Sequence, residues 1–112
     1  MNYKGVSMPK IRALVVDDAV VMRRVVTEAL NSDSNIEVTG TAANGKIALM
    51  KLPQMNPDVI TMDVEMPEMG GLEAVKEIRK THPQVPIIMV SSITEKGGAV
   101  TLEALSNGAD DY

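Results

Sequence analysis

Apolar positions along the chain follow two alternating rhythms. Short runs rich in Val and Ile, at Ile11–Val16, Ile36–Ala42, 59–62 and 86–90, have the length and β-branching of strands. Longer amphipathic stretches lie between them. Residues 19 to about 30 carry Met22, Val25, Val26, Ala29 and Leu30 at helical spacing, with Asp18 as the expected N-cap. Arg23, Arg24, Thr27 and Glu28 fall off that stripe. Asn44 and Gly45 open a second helix through Ile47, Ala48 and Leu52, which Pro53 is expected to end or kink. A third begins near Leu72, carries Val75, Ile78 and Arg79, and stops at His82 and Pro83. A fourth starts at Thr94 and Glu95 with Gly108 as its C-terminal cap, and residues 110–112 would open a fifth strand.

Strand followed by helix, four times over, predicts right-handed crossovers and an α/β fold, an open doubly wound parallel sheet covered on both faces. Ile36–Ala42, which alternates only in part, reads as the more exposed strand. In such layers ligands sit beyond the carboxyl ends of the strands, where strand order reverses. The polar residues fall on that edge. The first strand ends in Asp17 and Asp18, the third in Asp63, and the fourth in Ser91 and Ser92. Neighbouring strands lie about 4.8 Å apart, so these carboxylates can converge. Crowded like charges raise one another's pKa, and a hard dication relieves them. Mg2+ suits the set, because it takes few carboxylates and keeps several waters. A lone Asp after a strand is more often a helix cap. Three of them beside a strand-end hydroxyl point to a binding edge.

Composition narrows the picture further. Aromatic residues are 2% of the chain, with no Trp or Phe, so the core is aliphatic, helped by 9 Met. That leaves no platform for stacking nucleic-acid bases. The absence of Cys excludes a disulfide scaffold, a thiolate metal site and a thiol nucleophile. A net charge of −4 is the wrong sign for a nucleic-acid footprint. Uninterrupted apolar stretches such as Ala13 to Val16 reach only four residues, too short to span a membrane. Residues 1–10 lack the apolar middle of a secretory signal, so the expected location is cytoplasmic. Met66 and Met69 read as packing residues, and His82 as a solvated helix end. Gly70 with Gly71, and Gly97 with Gly98, lack phosphate-cradle spacing and read as turns.

Val15-Val16-Asp17-Asp18, then Met62-Asp63-Val64-Glu65-Met66-Pro67-Glu68-Met69-Gly70-Gly71-Leu72, then Ile88-Met89-Val90-Ser91 resemble the receiver domain of two-component response regulators. The resemblance implies a flavodoxin-like sheet of order 2-1-3-4-5 over residues 10–112, preceded by a tail, 1–9. It implies that Asp63 is the phosphoacceptor, fed by a histidine kinase. It also implies that Asp18 and Asp63 ligate Mg2+ directly, Asp17 through water, and Glu65 through its backbone carbonyl. Ser91 would bind a phosphoryl oxygen, and Tyr112 would be the switch aromatic that follows it. The family's loop usually reads Met-x-Gly or Met-Asp-Gly, where this chain has Met69-Gly70-Gly71. Receivers continue into a full fifth strand, a Lys-Pro pair and a fifth helix. Those features, including the Lys that pairs with the phosphoryl group, do not occur before Tyr112. The fourth strand is therefore expected to be an open edge able to self-associate.

Within the family, Val20 to Arg24, Gly40 to Gly45, Ser91 to Thr94 and Gly98 to Leu105 resemble the receiver of chemotaxis protein-glutamate methylesterases. That receiver precedes the hydrolase domain it controls, and these residues hold no hydrolase site. Two other readings are a pseudo-receiver that binds protein without phosphotransfer and a Mg-dependent aspartyl-phosphate hydrolase. The hydrolase ordinarily wants a second Asp where Glu65 stands.

Overall fold

A computed structural model describes residues 2–3, 6–7, 9–66, 69–90 and 108–110. The expectations placed on Ser91, Ser92, the fourth helix and Tyr112 lie outside the described residues. In the tail, β1 (Asn2–Tyr3) and β2 (Val6–Ser7) pair antiparallel. The main sheet holds β3 (Ile11–Val16), β4 (Ile36–Ala42), β5 (Val59–Asp63) and β6 (Ile87–Val90). These run parallel in the order β4-β3-β5-β6, which is 2-1-3-4 counted from Ile11. Three helices connect them: α1 (Val20–Asn31), α2 (Gly45–Met55) and α3 (Gly71–Thr81). This is the flavodoxin-like α/β layer expected.

Alternation along the strands divides the core. Leu14, Val16, Ile60, Met62, Ile87 and Met89 share one buried cluster with Ala48 and Leu52 of α2 and Ala74, Val75 and Ile78 of α3. Each large side chain buried there contributes roughly 1.5–3 kcal/mol. Met66 and Met69 pack against its rim, as expected of them. Ala13 and Val15 point to the opposite face, also buried, and α1 lies against β3 and β4.

Three local expectations change. First, α1 is capped at Ala19 with no side-chain bond, and it is the Asp17 carboxylate, not Asp18, that accepts from the Ala19 N–H at 2.9 Å. Second, the half-buried stripe of α1 is Met22, Arg23, Val26, Thr27 and Leu30, while Val25 and Ala29 face out. The apolar spacing admits either rotation of the helix; the observed one half-buries Met22, Val26 and Leu30 and brings Arg23 to the Asp17 carbonyl. Third, α2 runs past Pro53 to Met55. The proline ring is exposed, Met55 packs over Gly40, and the stop comes from Asn56 at φ 45, whose N–H bonds Leu52 O at 2.8 Å.

At the far end of the sheet the chain returns to the outer edge of β6. Asp110 N–H donates to Ile87 O at 2.9 Å, and its carboxylate accepts from Ile87 N–H at 2.7 Å. The edge expected to be open is thus occupied at Ile87 by this chain, in the place where a fifth strand would start. Arg79 secures the return, donating to Gly108 O at 2.8 Å, Val85 O at 2.6 Å, His82 O at 3.1 Å and the Asp110 carboxylate at 2.8 Å. Gly108 sits at φ +113, a region closed to most side chains. Removing the guanidinium takes the donor from three carbonyls, while the Asp110 carboxylate keeps the Ile87 N–H. Arg79→Ala is therefore expected to lose about 2 kcal/mol in urea unfolding, chiefly from the three carbonyl bonds, since the Asp110 carboxylate is exposed. A loss under about 1 kcal/mol would mean that water replaces the network.

Candidate functional site

The register of β3 against β5 pairs Val16 with Met62, so the next residues, Asp17 and Asp63, emerge side by side at the carboxyl edge. Asp18 follows on the loop into α1. One carboxylate oxygen from each of Asp17, Asp18 and Asp63 lies within 4.8 Å of the others. Among the described residues this is the group able to hold a metal ion. β6 ends at Val90, paired with Asp63, one residue before Ser91.

Each carboxylate has a distinct environment. Asp17 is buried, its N–H donates to Ala42 O of β4 at 3.0 Å, and its carbonyl accepts from Arg23 Nη1 at 2.8 Å. Asp18 is exposed and Asp63 half-buried. Asp18 lines an open cleft of about 460 Å³ together with Val64, Glu65, Met66 and Gly70. The Asp63 carboxyl is pushed up from 3.8 to about 7. Burial contributes most, then the Asp17 charge, then a side-chain hydrogen bond and the charge of Asp18. A hydrogen bond from the Glu65 backbone pulls the other way. Without a counter-charge Asp63 therefore keeps its proton well above the ordinary carboxylate range, with Asp18 as its side-chain hydrogen-bond partner.

These residues fit Mg2+. Oxygen is the sole donor type, the cleft admits the waters such an ion retains, and a dication would offset the Asp17 and Asp18 charges that crowd Asp63. Glu65, expected to contribute its carbonyl, has its backbone beside Asp63 and its side chain exposed. Arg23, counted in the sequence with the solvent face of its helix, reaches back to the site backbone. No spacing pattern marks such a bond.

The loop beyond Asp63 is held by close approach. Gly71 N–H donates to Val64 O at 2.9 Å, and a Cβ on Gly71 would collide with the Asp63 carbonyl. The expected turn role of this glycine is better described as contact between two backbones.

Residues 13–112 match the response regulator receiver domain family. The protein-glutamate methylesterase/protein-glutamine glutaminase of Nocardioides sp. is 57% identical over 105 residues, covering 94% of this chain and 29% of that protein. The corresponding protein of Trichodesmium erythraeum is 54% identical, with 94% and 30% covered. The chain thus spans under a third of the length of these curated relatives. Among solved structures, the response regulator domain of Thermotoga maritima CheB superposes with a TM-score of 0.84 at 50% identity, covering 91% of this chain and 75% of that one. A chain of the CheX–CheY–BeF3–Mg+2 complex from Borrelia burgdorferi gives 0.83 at 27% identity, with 91% and 75% covered. Fold, acidic edge and sequence likeness coincide over the same stretch, and the chain belongs to the response regulator receiver family.

Proposed function

We propose that Asp63 accepts a phosphoryl group from a histidine kinase in a Mg2+-dependent reaction, and that the phosphorylated form controls the output of a chemotaxis protein-glutamate methylesterase. The observation that carries this reading is the convergence of the Asp17, Asp18 and Asp63 oxygens within 4.8 Å, beside an open cleft. The likeness to methylesterase relatives supports the output, and the Mg+2 named for the Borrelia CheY complex supports the ion.

The chemistry asks little of the protein beyond placement and charge. An Asp63 carboxylate oxygen attacks the phosphorus of a phosphohistidine. The P–N bond breaks, the imidazole departs with the electron pair, and an acyl phosphate remains on Asp63. Asp18, Asp63 and the Glu65 carbonyl would hold Mg2+ directly and Asp17 through water, and the bound ion would supply positive charge to keep Asp63 ionised and offset the phosphoryl oxygens. The backbone N–H of Glu65 steadies the attacking carboxylate. Ser91 would donate its hydroxyl to a phosphoryl oxygen, and Tyr112 would move inward after it, as the family resemblance implies.

Incubation with a small phosphodonor such as acetyl phosphate, followed by intact mass measurement, tests the proposal. One phosphoryl group is expected with Mg2+, and none with chelator or in Asp63→Asn. Absence of the adduct with every donor would instead favour a binding module without phosphotransfer.

A further inference from the structure

We infer that Arg23 is a positioning residue of the acidic site, holding the Asp17–Asp18 peptide so that both carboxylates face Asp63. The inference rests on the Mg2+-dependent reading above and concerns how this chain builds the site. Arg23 Nη1 donates to the carbonyl of Asp17 at 2.8 Å, across six residues. That carbonyl belongs to the planar group joining Asp17 to Asp18. Fixing it fixes ψ of Asp17 and φ of Asp18, the two angles that set how the neighbouring carboxylates leave the backbone.

The rest of Asp17 is already tied, through its N–H to Ala42 O at 3.0 Å and its Oδ1 to the Ala19 N–H at 2.9 Å. The peptide beyond it lies past the last β3 residue, outside the strand ladder, and Arg23 supplies its anchor. Arg23 is itself set by the first turn of α1, where its N–H donates to Ala19 O at 2.8 Å. It acts through the backbone and not as a counter-ion. The ion pairs among the described residues join Arg12 to Asp58, Arg79 to Asp110 and Lys80 to Glu77, and none joins Arg23 to a site carboxylate. Arg24, the next residue, carries the same charge but is exposed, and so provides a matched comparison.

Calorimetric titration of the 112-residue chain with Mg2+, run beside urea unfolding of each variant, tests this. Groups that orient metal ligands typically cost 10–100-fold in affinity when removed, so Arg23→Ala is expected to bind Mg2+ about tenfold more weakly. Arg24→Ala is expected to stay within about threefold, and Arg23→Lys, whose ammonium can reach the same carbonyl, to recover most of the loss. The Arg23→Ala deficit should persist at about 1 M salt, where a long-range field is screened. Should Arg23→Ala fail to fold, Arg23→Gln is judged by the same criterion. Wild-type affinity in the Arg23 variant, or an equal loss in Arg24→Ala, overturns the role of Arg23 while leaving the phosphoacceptor reading intact. A wild-type chain that takes up no Mg2+ overturns both.

Discussion

Gly71→Ala is expected to destabilise the protein by about 3 kcal/mol, near the top of the range for inserting a methyl into a packed site. The new Cβ would meet the carbonyl of Asp63 and lie 2.9 Å from the Asp63 carbonyl carbon and Val64 Cα. These atoms belong to the backbone, so no rotamer change can relieve the contact. Either α3 retreats from the sheet or the end of β5 bends, and both disturb the residue that carries the site. For a domain of this size the loss corresponds to a melting temperature lower by more than about 10 °C. Gly70→Ala is the control. Its Cβ would meet nothing nearer than Val64 O at 3.7 Å, at an ordinary φ of −67. Its expected cost is about 1 kcal/mol or less, mainly the preference of a helix N-cap for Gly over Ala. Equal effects from the two substitutions would show that the approach of α3 to Asp63 is not the constraint described.

The second large effect is linked to pH. In the metal-free chain Asp63 titrates at about 7 instead of 3.8. Below the unfolded value the group is protonated in both states and contributes no difference. Between 3.8 and about 7 the folded chain keeps a proton that the unfolded chain has released, so stability falls as pH rises through this window. Above it the penalty is complete. Discounting for the half-exposed position of Asp63, it amounts to about 2 kcal/mol. Asp63→Asn removes the penalty. With chelator present, the variant should therefore melt about 5 °C or more above wild type near pH 8 and level with it near pH 4. Mg2+ should narrow the gap near pH 8 by stabilising the wild type selectively. A gap that does not change with pH would contradict the crowding of Asp17, Asp18 and Asp63.

Much of this architecture is legible because its signals are local. The β-branching of Ile11–Val16 and Ile36–Ala42 marks both strands with the bounds observed. The acidic edge follows from strands that each end in Asp, since adjacent parallel strands bring their ends together. Features set by tertiary contact were less accessible. The rotation of α1 places Arg23 against the Asp17 carbonyl, and an arginine ordinarily reads as solvent-facing. Asp17 and Asp18 are chemically identical as caps, and only the turn of the backbone gives the Ala19 N–H to Asp17. Pro53 carries a strong stop signal, which is overridden because the next turn is anchored through Met55 on Gly40. Arg79 and Asp110 are 31 residues apart, and no pattern in the chain announces their pairing.

In the function proposed here, three carboxylates at the sheet edge prepare Asp63, and no other residue, to take a phosphoryl group. Borohydride reduction after treatment with acetyl phosphate and Mg2+, followed by peptide sequencing, tests it most directly, since an acyl phosphate on aspartate is reduced to homoserine. Homoserine is expected at position 63 in the Mg2+ sample, and intact aspartate there when Mg2+ is chelated. Homoserine at 17 or 18, or conversion of position 63 irrespective of Mg2+, would contradict it.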